Sequence, residues 1–164
     1  MHLTGSLSSW PRQLRLLVAV FVITLNVGFF TGFSFVRLTT SLSPSGIESN
    51  YLGNESDEEA EVMQFRKSEK EVLTLIHNHI LSLSIIFFIL GMLLYATDIS
   101  AWWKTLLMFE PFVSLVLTFG GIYVMWSGWT WFKFVVMVSG MAMLLSVLLM
   151  SFFILRACFV SKKG

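Results

Sequence analysis

A single cysteine, Cys158, near the C-terminus, is all the thiol chemistry the chain carries. One cysteine closes no internal disulfide, and no cysteine pair with zinc spacing exists. Cys158 is adequately explained as a small apolar residue at a helix end, although a juxtamembrane thiol is also where reversible acylation occurs. Charge is scarce as well: Asp, Glu, Lys and Arg make up 13% of the residues. The formal net charge of +1 says nothing by itself about partners, and no nucleic-acid partner is expected. Catalytic signatures are missing too. There is no G-x-S-x-G, no P-loop, no nucleotide-binding glycine pattern, no internal repeat and no pair of carboxylates inside an apolar run. Catalysis within this chain alone has little to stand on, so a non-enzymatic protein with no catalytic residues is expected.

What the chain has is hydrocarbon. Of its 164 residues 55% are hydrophobic, with sixteen Phe and six Trp against three Pro. A soluble domain of this size could not cover that much apolar surface. Four runs are long enough to span a bilayer: residues 16–36, about 76–96, 106–126 and 134–155. At ~1.5 Å per residue, about 20 residues match a ~30 Å hydrocarbon core. Backbone polar groups in lipid must be satisfied internally, so each run is expected to be helical. The expected fold is an all-α four-helix transmembrane bundle, a single domain over residues 1–164. The first run follows Arg12 and Arg15, as a signal peptide would. It is longer than a typical signal core and is followed by Arg37–Thr40 rather than a small-x-small cleavage site, so it reads as a retained helix.

Orientation follows from Lys and Arg near the helix ends. Arg12 and Arg15, Lys104 in the second connection, and Arg156, Lys162 and Lys163 all fall on one side of four spans, which is expected to be cytoplasmic with both termini. The connection 37–70 then lies outside, although it carries Arg37, Arg66, Lys67 and Lys70. It also carries seven acids, Glu48, Glu55, Asp57, Glu58, Glu59, Glu61 and Glu69, which weigh little in this rule. Trp126, Trp129 and Trp131 are expected in the outer aromatic belt and Trp102 and Trp103 in the inner one. Residues 41–61 are rich in Ser, Gly, Asn and acid and are expected to be irregular or to form short helical turns. Val62–Phe65 is apolar enough to lie at the interface. Ser68 and Glu71 have capping-box spacing, so a helix is expected to start there and run on towards Thr97. Asn54-Glu55-Ser56 matches a glycosylation sequon, a pattern common by chance.

Two places carry chemistry. His77 and His79 flank Asn78 where the second span begins. Residues two apart on a helix point about 200° from each other, so the pair cannot share one metal inside a bundle. The remaining histidine, His2, is expected across the membrane. A closed zinc site needs four ligands, so it would have to borrow acids from the loop or a second subunit. A b-type haem would take one of these imidazoles with Met125 or Met137 as the second ligand. Against these stands the plainer expectation that one histidine packs inward with a hydrogen bond while the other faces headgroups or water. A role in binding quinone, lipid headgroup or partner is the remaining alternative. Glu110 lies in the third run, followed by Pro111. An acid within a span invites a functional role. Near the start of a helix the macrodipole also favours it, and a helix-start role is expected over a proton or ion pathway. Asn26, Thr24 and Thr31, with Gly28, Gly32, Gly91, Gly120, Gly121 and Gly140, are expected to glue and close-pack the helices.

Residues 46–91 resemble small, uncharacterised four-helix bacterial inner-membrane proteins through Tyr51, Gly53, Asn54 and Glu55, a short basic-acidic segment, and the H-x-H of His77 and His79. The resemblance implies the same topology, a multi-pass place in the bacterial inner membrane and a role for the histidines; it carries no activity. Tyr51 and Glu55 join His77, His79 and Glu110 as candidate site residues on that ground. The expected function is a subunit or accessory protein of a membrane complex, in contact with the lipid bilayer and other subunits, with a binding surface at the outer face. The alternative is a redox protein holding haem b or a metal ion on His77 or His79.

Overall fold

The computed structural model describes residues 6–55 and 62–160. His2, the sequon's Ser56, the acids Asp57, Glu58, Glu59 and Glu61, and Lys162 and Lys163 lie outside them. The described residues form five α-helices and one 3-10 turn, Leu7–Ser9, without a strand. The helices are α1 (Arg12–Thr40), α2 (Pro44–Leu52), α3 (Glu69–Tyr95), α4 (Ala101–Trp126) and α5 (Phe132–Phe159). All but α2 are long and apolar enough to cross a membrane. They run 29, 27, 26 and 28 residues, so each continues one or two turns beyond its apolar run.

Local chemistry explains where these helices begin and end. Ser68 caps α3: Glu71 N–H donates to its Oγ, and its own N–H donates to the Glu71 carboxylate at 2.8 Å. This reciprocal box satisfies two of the orphan donors at a helix start. Ser43 caps α2 by accepting from Gly46 N–H at 3.0 Å, with Pro44 next in the first turn. Ser41 and Leu42 both take positive φ, 49° and 50°, reversing the chain between α1 and α2. Gly46 then packs so tightly over the end of α1 that a Cβ there would sit 1.9 Å from Thr40 O.

The core is organised around α4. Leu107, Pro111, Ser114, Leu115, Thr118, Ile122 and Met125 recur every three or four residues and are buried. Their face meets Phe87, Leu90 and Leu94 of α3 and Val136, Val147, Met150 and Ile154 of α5. Helix α1 lies against α5 and α2, and touches α3 chiefly where Phe29 stacks on Phe87 at 6.4 Å. Beyond Val22 the next buried residue of α1 is Thr40, so its second half lies open along the bundle. At the end where the chain starts, Leu7 is fully buried and its N–H donates to Ala96 O at 2.6 Å. The first described residues and the end of α5 therefore share one end of the bundle, and α2 lies at the other.

Two packing expectations need correction. The polar groups of α1 do not bridge helices. Asn26 Nδ2 donates to Val22 O and Thr31 Oγ1 to Val27 O, both within α1, while Thr24 is exposed. A hydroxyl or amide one turn from a carbonyl is satisfied more cheaply by its own helix. The buried polar bridge runs instead from Thr118 of α4 to Ser139 of α5, at 2.7 Å. Of the glycines, Gly121 of α4 sits in close approach to Val136, while Gly140 and Gly91 are in ordinary contact with Thr118 and Met108. Gly28, Gly32 and Gly120 have open space where a Cβ would be.

Candidate functional site at the loop end of the bundle

Residues 51–55 and 62–67 form a clasp across the α2 end. Its hinge is Gly53, at φ 82°, where a Cβ would lie 2.7 Å from Arg66 N. Asn54 closes it three ways. Its N–H donates to Gln64 O at 2.9 Å, its Nδ2 donates to Val62 O at 3.0 Å, and its Oδ1 accepts from Gln64 N–H at 2.6 Å. Lys67 N–H donates to Tyr51 O at 3.1 Å, and Arg66 N–H reaches Glu55 Oε1 at 3.4 Å. Tyr51 and Glu55 are thus parts of a backbone fastening. Burial pushes the Tyr51 hydroxyl up to about 12, since the phenolate would lose its water. The sequon's Asn54 already uses the nitrogen that a glycan would need.

The clasp is bolted to the spans. Arg66 Nη2 donates to Trp126 O at 3.0 Å and its guanidinium lies 5.0 Å over the Trp126 ring. Trp126 Nε1 donates to Lys67 O at 2.9 Å, and Tyr123 Oη donates to Glu69 Oε1 at 3.1 Å. Lys67 Nζ lies 5.9 Å over the Tyr51 ring, and Lys133 of α5 pairs with Glu48 of α2 at 2.5 Å. Arg66 and Lys67, two of the four basic residues that complicate the charge rule in this connection, therefore have structural employment. Composition alone gives no sign of the Arg66–Trp126 latch; the only available signal is a cation placed near a capping serine and a tryptophan closing another helix. The clasp nevertheless holds Val62, Met63 and Phe65 largely exposed, at 69%, 56% and 72%.

Below the clasp the two imidazoles diverge as helical geometry requires. His79 Nδ1 donates to Leu75 O at 2.8 Å, and the ring stacks on Phe119 of α4 at 4.8 Å. That bond makes Nδ1 the donor and leaves Nε2 without a hydrogen bond among the described residues. His79 also lines a groove of about 590 Å³ with Lys70, Glu71, Thr74, Leu75 and Asn78. His77 is exposed on the opposite flank. Phe119 occupies the α4 position beside His79, and Met125 is fully buried elsewhere on α4. Among the described residues no three His, Cys, Asp or Glu side chains converge.

Glu110 sits apart. Helix α4 begins at Ala101, not at the apolar run, so Glu110 lies in its third turn. The macrodipole acts over the first turn only, and the helix-start explanation therefore fails. Ser114 Oγ instead donates to Glu110 Oε1, while Oε2 is buried without a hydrogen bond among the described residues. Trp102, Thr105, Leu106, Phe109 and Val113 line the groove of about 370 Å³ beside it. Nine residues separate Glu110 from Phe119, which marks the level of His79, or about 13 Å along α4. The carboxylate and the imidazoles therefore do not form one site.

Four long apolar helices define a multi-pass integral membrane protein whose outward side chains contact lipid. The Aq_1264_TM family model, described as a transmembrane helical domain, matches residues 41–164, and the chain belongs to that family. The matched region begins just after α1. No curated protein and no solved structure matches the chain.

Proposed function

We propose that the chain is a non-enzymatic subunit or accessory protein of a membrane complex and that the loop end is the surface it offers. Bacterial inner membrane with both termini cytoplasmic is the setting we assign, in accord with the Arg12, Arg15, Lys104 and Arg156 distribution. One observation carries this function. Val62, Met63 and Phe65 are large apolar groups displayed on a backbone fixed by Asn54, Tyr51 and Trp126. A fixed display lowers the entropy a partner must overcome on docking. Affinity capture from solubilised native membranes tests it. Wild-type chain should retain a stoichiometric membrane partner, and the double variant Met63→Ser, Phe65→Ser should lose it while keeping its helical content. Retention of the same partner by the variant refutes the assignment.

His79 supports a second function, a haem or metal ligand, because its Nε2 points away from the one hydrogen bond the ring makes. An absorption spectrum and metal analysis of purified chain decide it. A Soret band or a stoichiometric metal that disappears in His79→Ala establishes ligation, and colourless, metal-free chain removes it.

A further inference from the structure

Among the described residues Glu110 is the one carboxyl that lies within an apolar run, and its depth follows from the helix beside it. Phe87 of α3 meets Phe112 edge-on at 6.0 Å, and Gly91 contacts Met108. Glu110 is therefore level with residue 89 of α3. That is seven residues, about 10 Å, from residue 96, the near end of the apolar run 76–96. The carboxylate does not turn back towards that edge. It accepts from Ser114 Oγ, and Ser114 stands one turn deeper.

This carboxyl is short of hydrogen. An ionised carboxylate offers about four acceptor sites on its two oxygens. Here Oε1 has the Ser114 hydroxyl, and Oε2 is buried without a hydrogen bond among the described residues. Pro111 has no N–H, so Leu107 O lacks the donor that the helix would otherwise place four residues on. Thr105, the other hydroxyl of this stretch of α4, already donates to Ala101 O at 3.1 Å. Nothing nearby balances a negative charge either. Of the elements packed on α4, α3 places residues 87–91 at this level and α5 those around Val147, in the register set by Thr118 on Ser139 and Gly121 on Val136. None of these residues is titratable. Helix α2 lies at the loop end, with Glu48 on Lys133. Lys104, six residues back on α4, donates to Tyr95 O at 2.9 Å.

We infer that Glu110 is an intramembrane proton-binding site, its carboxyl carried as the acid with the proton on Oε2. An uncompensated carboxylate in hydrocarbon costs far more than an unpaired neutral group, and such a group is neutralised instead. The supply of oxygens selects a proton over a metal cation. Hard cations take about six oxygen ligands. This turn supplies the carboxylate, a Ser114 hydroxyl already donating, and one carbonyl at Leu107. A hydronium ion brings the proton: the O–H bond forms on Oε2, water is released, and Oε1 remains the carbonyl oxygen that accepts from Ser114. The site is separate from the clasp at the loop end, so failure of either assignment leaves the other standing.

Infrared spectroscopy of the purified chain in lipid bilayers at neutral pH tests the site. Wild type should show a carboxylic-acid C=O band, which no other carboxyl is expected to supply because the rest lie outside the apolar runs. The band should vanish in Glu110→Gln. Ser114→Ala should keep it and move it to higher frequency, because Oε1 loses its hydrogen bond. Exchanging choline for sodium or potassium at the same pH should leave it unchanged. Wild type without an acid band, or carboxylate bands in its place in the difference from Glu110→Gln, overturns the assignment. So does a band that sodium or potassium abolishes, which would make the ligand a metal cation. The wild-type spectra and the salt exchange decide the matter whether or not the variants fold.

Discussion

Gly53→Ala isolates the clasp from the rest of the fold. The native backbone at this residue is φ 82°, ψ 170°, a region essentially reserved for glycine. A side chain there costs about 1–3 kcal/mol in backbone strain alone. The new Cβ would also meet Arg66 N at 2.7 Å and Gln64 O at 3.0 Å. Both are backbone atoms, so relief requires the 62–67 segment to move, at about 1 kcal/mol for each backbone hydrogen bond given up. The sum, roughly 2–4 kcal/mol, falls on local opening, because the four spans are held by separate contacts. At 1.4 kcal/mol per decade this corresponds to about 30- to 1,000-fold faster exchange of the amides at Gln64, Arg66 and Lys67. Hydrogen exchange of the purified protein in detergent, read at those amides, is the assay. Exchange at α4 amides such as Leu115 should be unchanged. Rates at Gln64, Arg66 and Lys67 within about threefold of wild type would show that Asn54 and Gly53 do not fasten this segment, whatever the global stability did.

Three further outcomes rest on the same contacts. Gly28→Ala should raise thermal stability by roughly 0.5–1 kcal/mol, since the helix gains and nothing lies within 4 Å of the added carbon, whereas Gly121→Ala, with Val136 Cγ2 at 3.0 Å, should gain nothing or lose about 1 kcal/mol in the same denaturation assay. Thr118→Val removes the buried bond to Ser139 and should cost about 0.6–2 kcal/mol, measured as a lower unfolding midpoint. Tyr51 titrates well above its ordinary value of 10, so the folded clasp favours the neutral phenol. That contribution is complete below pH 10 and is lost as pH rises towards about 12, so Gln64 exchange, corrected for its intrinsic pH dependence, should accelerate across that window in wild type and stay flat in Tyr51→Phe.

The spans are legible in the sequence because hydrocarbon solvation is written residue by residue: a run such as 134–155 has no other stable conformation in lipid. The start of α3 is legible because a capping box is a local device, complete within Ser68–Glu71. Helix ends beyond the apolar runs are not legible. The first five residues of α4, Ala101–Thr105, are helical without a side-chain cap from Ser100, and this moves Glu110 from a first turn to a third. The 200° divergence of His77 and His79 comes from periodicity alone. The latch of Arg66 on Trp126, 60 positions apart, does not, because nothing local encodes which tryptophan a guanidinium will find. The signature around Asn54 reads as a candidate site, yet its residues are chosen for backbone demands: Gly53 for its positive φ, and Asn54 for a side chain that both donates and accepts.

How burial is shared among the helices says where function can reside. In α4 44% of the most apolar stretch is buried, against 11% in α1 and in α3. Helix α4 is filled with contacts, and its own polar groups are used internally, Thr118 on Ser139 and Ser114 on Glu110. Leu115, Ile122 and Met125 fill its core face. The perimeter is different. Helix α3 follows a clasp displaying Met63 and Phe65, and His79 and Asn78 stand exposed where its apolar run begins. Exposed groups thus gather around the start of α3, while on α4 the one buried side-chain polar atom without a hydrogen bond among the described residues is Glu110 Oε2. The assembly role proposed above therefore rests on this perimeter and not on the bundle centre.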